Sequence, residues 1–160
     1  MRSWILAIAI VITIAFPQTG NTADIRQPVA FDFSLEPLSA KLTQKTVVQT
    51  FQDSRGTLWF LTQEGLNRYN GYTLENYRYS ASNDLSISSN EVTRITEDSL
   101  GNLWISTLGG GLNKYDPITN GFIAVYTNQD SERSPHSNYI STVFTDSDGN
   151  IWLGYDDGFS

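Results

Sequence analysis

From Leu42 onward, short clusters of apolar residues alternate with Gly, Asn, Asp and Ser, and no apolar stretch is long enough for a core helix. That rhythm predicts short strands separated by turns. Strands are expected over 46–52, 92–97 and 140–145, because these stretches are rich in β-branched residues that favour strand over helix. Each runs into Asp-Ser-x-Gly. The Asp side chain caps its own backbone and the Gly accepts a positive φ, which gives a tight hairpin turn. The strand after the turn carries a Trp. Leu66–Tyr69 and Leu112–Tyr115 read as third strands, and Leu74–Tyr77 and Ile123–Tyr126 as fourth strands. Ser80–Ser89 and Asn128–Ser137 are polar and read as connections. One feature breaks strict alternation: before the turn, apolar residues fall six and three places ahead of the Asp. A β-bulge accommodates that spacing.

The pattern is a repeat. Thr50–Thr62, Ile95–Thr107 and Val143–Tyr155 align without gaps on Asp-Ser-x-Gly-x-(Leu/Ile)-Trp. The residues that carry the signature are Asp53, Gly56 and Trp59 in the first unit, Asp98, Gly101 and Trp104 in the second, and Asp146, Gly149 and Trp152 in the third. The tryptophans lie 45 and 48 residues apart. Gly65-Leu66-Asn67-Arg68-Tyr69 then matches Gly111-Leu112-Asn113-Lys114-Tyr115, and Gly71-Tyr72 matches Gly121-Phe122. A four-strand unit of this length with a recurring Trp is the signature of a β-propeller blade. One blade cannot bury both of its faces, so each Trp is expected to pack in a core between neighbours. The fold class is all-β, about two and a half blades of four-stranded antiparallel sheet. The blades are placed at about 42–88, 89–136 and 137–160.

The N-terminus follows a different rule. Met1-Arg2-Ser3 is basic, Trp4–Phe16 is apolar except for Thr13, and Gln18–Ala23 is small and polar. That order is a secretory signal peptide, with residues 1–23 removed and 24–41 as a lead-in. The apolar run is shorter than the roughly 20 residues of a membrane-spanning helix; an uncleaved anchor is the rival. The chain is therefore expected to be exported, to the periplasm in a Gram-negative source. It has no Cys, so stability has to come from packing rather than disulfides. A net charge of −7 argues against a nucleic-acid partner, which requires clustered Lys and Arg.

DSRGTLWFLTQEGLNRYNGY and DSLGNLWISTLGGGLNKYD resemble the two-component regulator propeller repeat. Departures are Gln63-Glu64-Gly65 against Gly109-Gly110-Gly111, and Asp156-Asp157-Gly158 in the third unit. The resemblance implies the exported sensor region of a bacterial membrane signalling protein. In such proteins propellers precede a transmembrane helix and a cytoplasmic histidine kinase or diguanylate cyclase. It implies a parent protein anchored in the inner membrane, of which this chain is an N-terminal fragment. Three blades at most fall short of the roughly 4–8 that close a propeller. The isolated segment is expected to be marginally stable, or to assemble with copies of itself or with the remaining blades. Contact with the membrane is expected only through a span further downstream or an uncleaved signal segment.

Candidate chemistry is sparse, and neither catalytic residues nor a cofactor or metal are expected. Asp146-Ser147-Asp148-Gly149-Asn150 has a superficial likeness to a calcium loop but lacks the ligands further along, and reads as a turn. Asp156-Asp157 reads as loop surface. His136 has no orienting acid at a recognisable spacing. Gly109-Gly110-Gly111 has no following Lys-Ser/Thr and reads as the link between second and third strands. The expected function is non-catalytic sensing of an unknown ligand on a blade-loop face. Two alternatives stand beside it. One is a self-assembling carbohydrate-binding module using Tyr72, Tyr79 and Tyr139. The other is a propeller enzyme like the streptogramin lyases.

Overall fold

The computed structural model describes residues 40–125, 134–156 and 158–159. Residues 1–23, read above as a signal segment, nearly all of the lead-in, Tyr126 and Asp157 lie outside the described residues. The rest forms three antiparallel sheets in chain order. The first is β1 (Val47–Gln52), β2 (Leu58–Thr62), β3 (Gly65–Tyr69) and β4 (Leu74–Tyr77). The second is β5 (Val92–Glu97), β6 (Leu103–Thr107), β7 (Gly111–Asp116) and β8 (Gly121–Val125). The third holds β9 (Thr142–Thr145), β10 (Ile151–Tyr155) and β11 (Gly158–Phe159). Each sheet is a meander, and the first strands of consecutive sheets, β1, β5 and β9, lie against one another. The three sheets are blades of a propeller arc.

The bulge is present. Val47 pairs with Thr62 and Gln49 with Leu61, which leaves Val48 as the extra residue; Val92, Thr93 and Arg94 repeat the arrangement against Thr107 and Ser106. The extra residue explains the three-residue spacing. Val92 and Ile95 oppose Thr107 and Ile105, which are two apart on β6 and share a face, so both apolar side chains point into the same core.

Cross-strand partners point the same way, so each sheet carries rows of side chains across its face. In the first sheet one row is Phe51, Trp59, Arg68 and Glu75. In the second it is Thr96, Trp104, Lys114 and Ile123, and in the third Phe144 and Trp152. The first two rows face the next sheet. Trp59, Leu61 and Leu66 pack against Val92, Ile95, Leu103, Ile105, Tyr115 and Phe122 of the second sheet. Trp104 and Leu112 pack against Ile140, Val143, Leu153 and Tyr155 of the third. Each fully buried large side chain contributes about 1.5–3 kcal/mol of transfer free energy.

Not every repeat Trp is core. Trp59 is 0% exposed, Trp104 is half-buried and Trp152 is 43% exposed. The expectation of a buried Trp152 is corrected: among the described residues no sheet lies over the face that carries it.

Candidate functional site

The repeat signature builds one small structure three times. At each turn the Gly amide donates to the Asp carbonyl at 2.9–3.1 Å, with the Gly at φ +83°, +77° and +86°. A side chain at that φ is strained, which is why Gly56, Gly101 and Gly149 recur. The Asp side chain then reaches further than a turn requires. Asp53 Oδ1 accepts from the amides of Arg55 (3.1 Å) and Thr57 (2.8 Å), while Oδ2 accepts from Trp59 Nε1 at 3.0 Å. Trp104 Nε1 donates to Asp98 at 2.9 Å and Trp152 Nε1 to Asp146 at 2.7 Å. The carboxylate thus ties the turn to the indole six residues on. Burial pushes the Asp98 carboxyl up, but hydrogen bonds from Trp104 and Asn102 outweigh it and hold it below the usual range. The indole of Trp152 and the amide of Asn150 hold Asp146 down at about 2. This is also why the third turn makes a poor cation loop: its Asp146 oxygens are already committed to N–H donors. Among the described residues no group of three metal-ligating side chains converges.

The Gly-Leu-Asn-(Arg/Lys)-Tyr segment holds two devices that sequence reading did not assign. Asn67 and Asn113 are fully buried and clasp the chain entering each sheet. Thr43 N donates to Asn67 Oδ1 (2.8 Å) and Asn67 Nδ2 donates to Thr43 Oγ1 (2.9 Å). Ser88 and Asn113 make the same pair of bonds at 3.1 and 2.7 Å. The signal was legible: a polar residue recurs beside Leu in a strand whose neighbours are apolar. In the third unit His136 takes the place of Thr43 and Ser88. Its backbone amide donates to Tyr155 Oη at 3.1 Å, and its ring meets that tyrosine edge-on at 5.5 Å. The second device is a cation over the tryptophan of the first and of the second sheet. Arg68 lies 5.9 Å from the Trp59 ring centroid, and Lys114 lies 5.5 Å from that of Trp104.

The tyrosines fall in different places. Tyr115 is buried and meets Trp59 edge-on at 5.0 Å, whereas Tyr69 is half-buried and donates to the Gly71 carbonyl at 2.7 Å. Gly65 and Gly111 open the third strands, and Gly109-Gly110 form the link before Gly111. Gly110 is needed for close approach, since a Cβ there would lie 2.5 Å from Ser88 Oγ and 2.7 Å from the Ser88 carbonyl carbon.

Turns alternate between the two ends of a meander. Tyr72, 94% exposed, sits in the β3–β4 turn at one end of the first sheet. Tyr79 and Tyr139 sit in the connections at the other end, with the Tyr139 ring 3.6 Å from the Cβ position of Gly109. The three tyrosines therefore do not form one site. A cavity of about 520 Å³ opens beside Tyr79, lined also by Asn83, Asp84, Leu85 and Phe122. No helix among the described residues is long and apolar enough to cross a membrane.

Residues 86–109 and 134–157 match the family profile described as Two component regulator propeller. No curated protein matches the chain. Among solved structures, the chain is similar to the extracellular domain of BT3049, assigned to a hybrid two component system of B. thetaiotaomicron. The identity is 29% over 68% of this chain and 15% of that one, with TM-score 0.60. The extracellular domain of BT4673 from the same organism, assigned to a one component system, matches at 28% identity over 68% and 15%, with TM-score 0.55. This chain thus spans a small part of either relative. Virginiamycin B lyase from Staphylococcus aureus matches at 16% identity over 78% of this chain and 39% of that one, with TM-score 0.54, and shows the fold alone. Repeated turn, buried core and profile match agree: two stretches of this propeller arc match the two-component regulator propeller repeat.

Proposed function

We propose that this chain is a segment of the exported, ligand-sensing propeller of a bacterial transmembrane signalling protein, of the two-component or cyclic-di-GMP type. The observation that carries this reading is the family match on two successive repeats, joined to likeness with extracellular domains of signalling systems. The signal segment at residues 1–23 supports export. The ligand binds at the connector end of the blades, where Tyr79 and Tyr139 offer exposed aromatic surface beside Asn and Ser groups. Binding there shifts the closed propeller, and the shift passes through the membrane to an output domain.

The test is the reading frame after the codon for Ser160. The proposal expects further Asp-x-x-Gly-x-x-Trp units, a membrane span and a kinase or cyclase. A stop codon at that point would contradict it. Export is tested separately by fusing residues 1–40 to a reporter enzyme active only outside the cytoplasm.

A further inference from the structure

The two joints between sheets share one apolar grammar. Val92, Ile95 and Ile105 enter the first joint, and Ile140, Val143 and Leu153 enter the second at the same repeat positions. The short connections make consecutive sheets neighbours, but apolar surfaces this alike do not distinguish one joint from the other; polar contacts that differ do.

They do differ, and most at Asn120. This residue adopts φ +53°, a region Asn tolerates better than most side chains. Its carboxamide spans the first joint. Oδ1 accepts from Tyr115 Oη of its own sheet (2.7 Å) and lies 2.6 Å from Tyr77 Oη of the first sheet, whose single proton both it and Glu75 face. Nδ2 donates to Glu75 Oε2 at 3.2 Å. That same carboxylate oxygen also accepts from Tyr77 Oη (2.7 Å) and Arg68 (3.2 Å). The hydrogen bond from Tyr77 holds Glu75 below the usual carboxylate range against the opposing effect of burial. In the second sheet Ile123 stands in the row where Glu75 stands in the first, so that position offers no carboxylate to the second joint.

A second contact points the same way. Glu97 accepts from the Ser54 amide (2.8 Å) and hydroxyl (2.6 Å), and Arg55 donates to the Gly101 carbonyl at 3.2 Å. In the second joint the matching residues are Thr145 and Leu100, and Leu100 is 86% exposed.

We propose that Asn120 is a positioning residue that assigns the second sheet to the first, by reading Glu75 and Tyr77 through an uncharged carboxamide. Neutrality is the essential property. An aspartate of the same shape would set one carboxylate against another, with Arg68 the one cation bonded to Glu75 among the described residues and Asp116 on the same turn adding negative charge. Asn120→Gly removes the contact without charge and relieves the backbone, so it separates loss of a bond from repulsion.

The experiment is amide hydrogen exchange on the full chain. Ser54 and Ile95, whose amides bond across the first joint, report on it; Gly111 and Ile140 report on the second. Asn120→Asp is expected to lower protection at Ser54 and Ile95 about tenfold more than Asn120→Gly does, with Gly111 and Ile140 unmoved. Adding Glu75→Gln to Asn120→Asp restores an amide–carboxylate bond and recovers most of the loss. The proposal is overturned if the Asp and Gly variants match, if all four amides lose protection together, or if Glu75→Gln gives no rescue.

Discussion

Replacing Asp53 by Asn tests whether the turn carboxylate supports the core. The side chain keeps its size. Its remaining oxygen can still accept from Arg55 and Thr57, but the new amide points at Trp59 Nε1–H, donor against donor. Asp53 is 7% exposed and Trp59 0%, so water does not replace the lost acceptor. A hydrogen bond to a charged group contributes about 1.5–3 kcal/mol, and a buried donor left unsatisfied costs about 1–3 kcal/mol. These overlap rather than add, so about 2–4 kcal/mol of stability is lost. Asp146→Asn is the control: the same three bonds are made there, but Trp152 is 43% exposed and water can take the place of the carboxylate. Urea unfolding followed by far-ultraviolet circular dichroism measures both. The expected result is a large fall in midpoint for Asp53→Asn and a much smaller one for Asp146→Asn, at unchanged slope. Equal losses in the two variants, or a loss at Asp53 under about 0.5 kcal/mol, would refute the reasoning.

Three further outcomes are expected. Asn67→Ala and Asn113→Ala each release a half-buried connector from a fully buried partner and cost about 1–3 kcal/mol, read in the same urea assay; Asn83→Ala, in an exposed turn, changes little. Acid destabilises the protein through Asp98 and Asp146. Both carboxyls titrate lower when folded than when unfolded, so their contribution is full above about pH 4 and is lost as pH falls towards 2. A pH series of unfolding midpoints checks this, and a flat profile between pH 5 and 2 would contradict it. Gly110→Ala forces Ser88 away and lowers the midpoint, whereas Ala at Gly71, where nothing lies within 4 Å of the Cβ position, costs only the strain of its φ of +93°.

Much of the fold was legible in the sequence because its information is periodic. Turn residues, strand lengths and the six-and-three spacing all follow from backbone rules, and the spacing even locates the bulge. The polar contacts were less legible. Asp53 and Trp59 were both visible as repeat positions, but a one-dimensional pattern does not show that a turn carboxylate folds back onto an indole. Asn67 and Asn113 were visible as matching repeat positions, but their bonds to Thr43 and Ser88 show only once the strands are paired. The grouping of Tyr72 with Tyr79 and Tyr139 overlooked a rule already available, that turns in a meander alternate ends. Trp152 shows the limit of reading a repeat residue by residue: its burial is set by a neighbouring sheet, not by its own unit.

The central claim is that these sheets are successive blades, each covering the tryptophan of the one before. Acrylamide quenching of single-tryptophan variants, with the other three tryptophans changed to Phe, tests it most directly. Trp59 is expected to be shielded, Trp104 intermediate and Trp152 readily quenched. Equal quenching of Trp59 and Trp152 in the folded chain would contradict it.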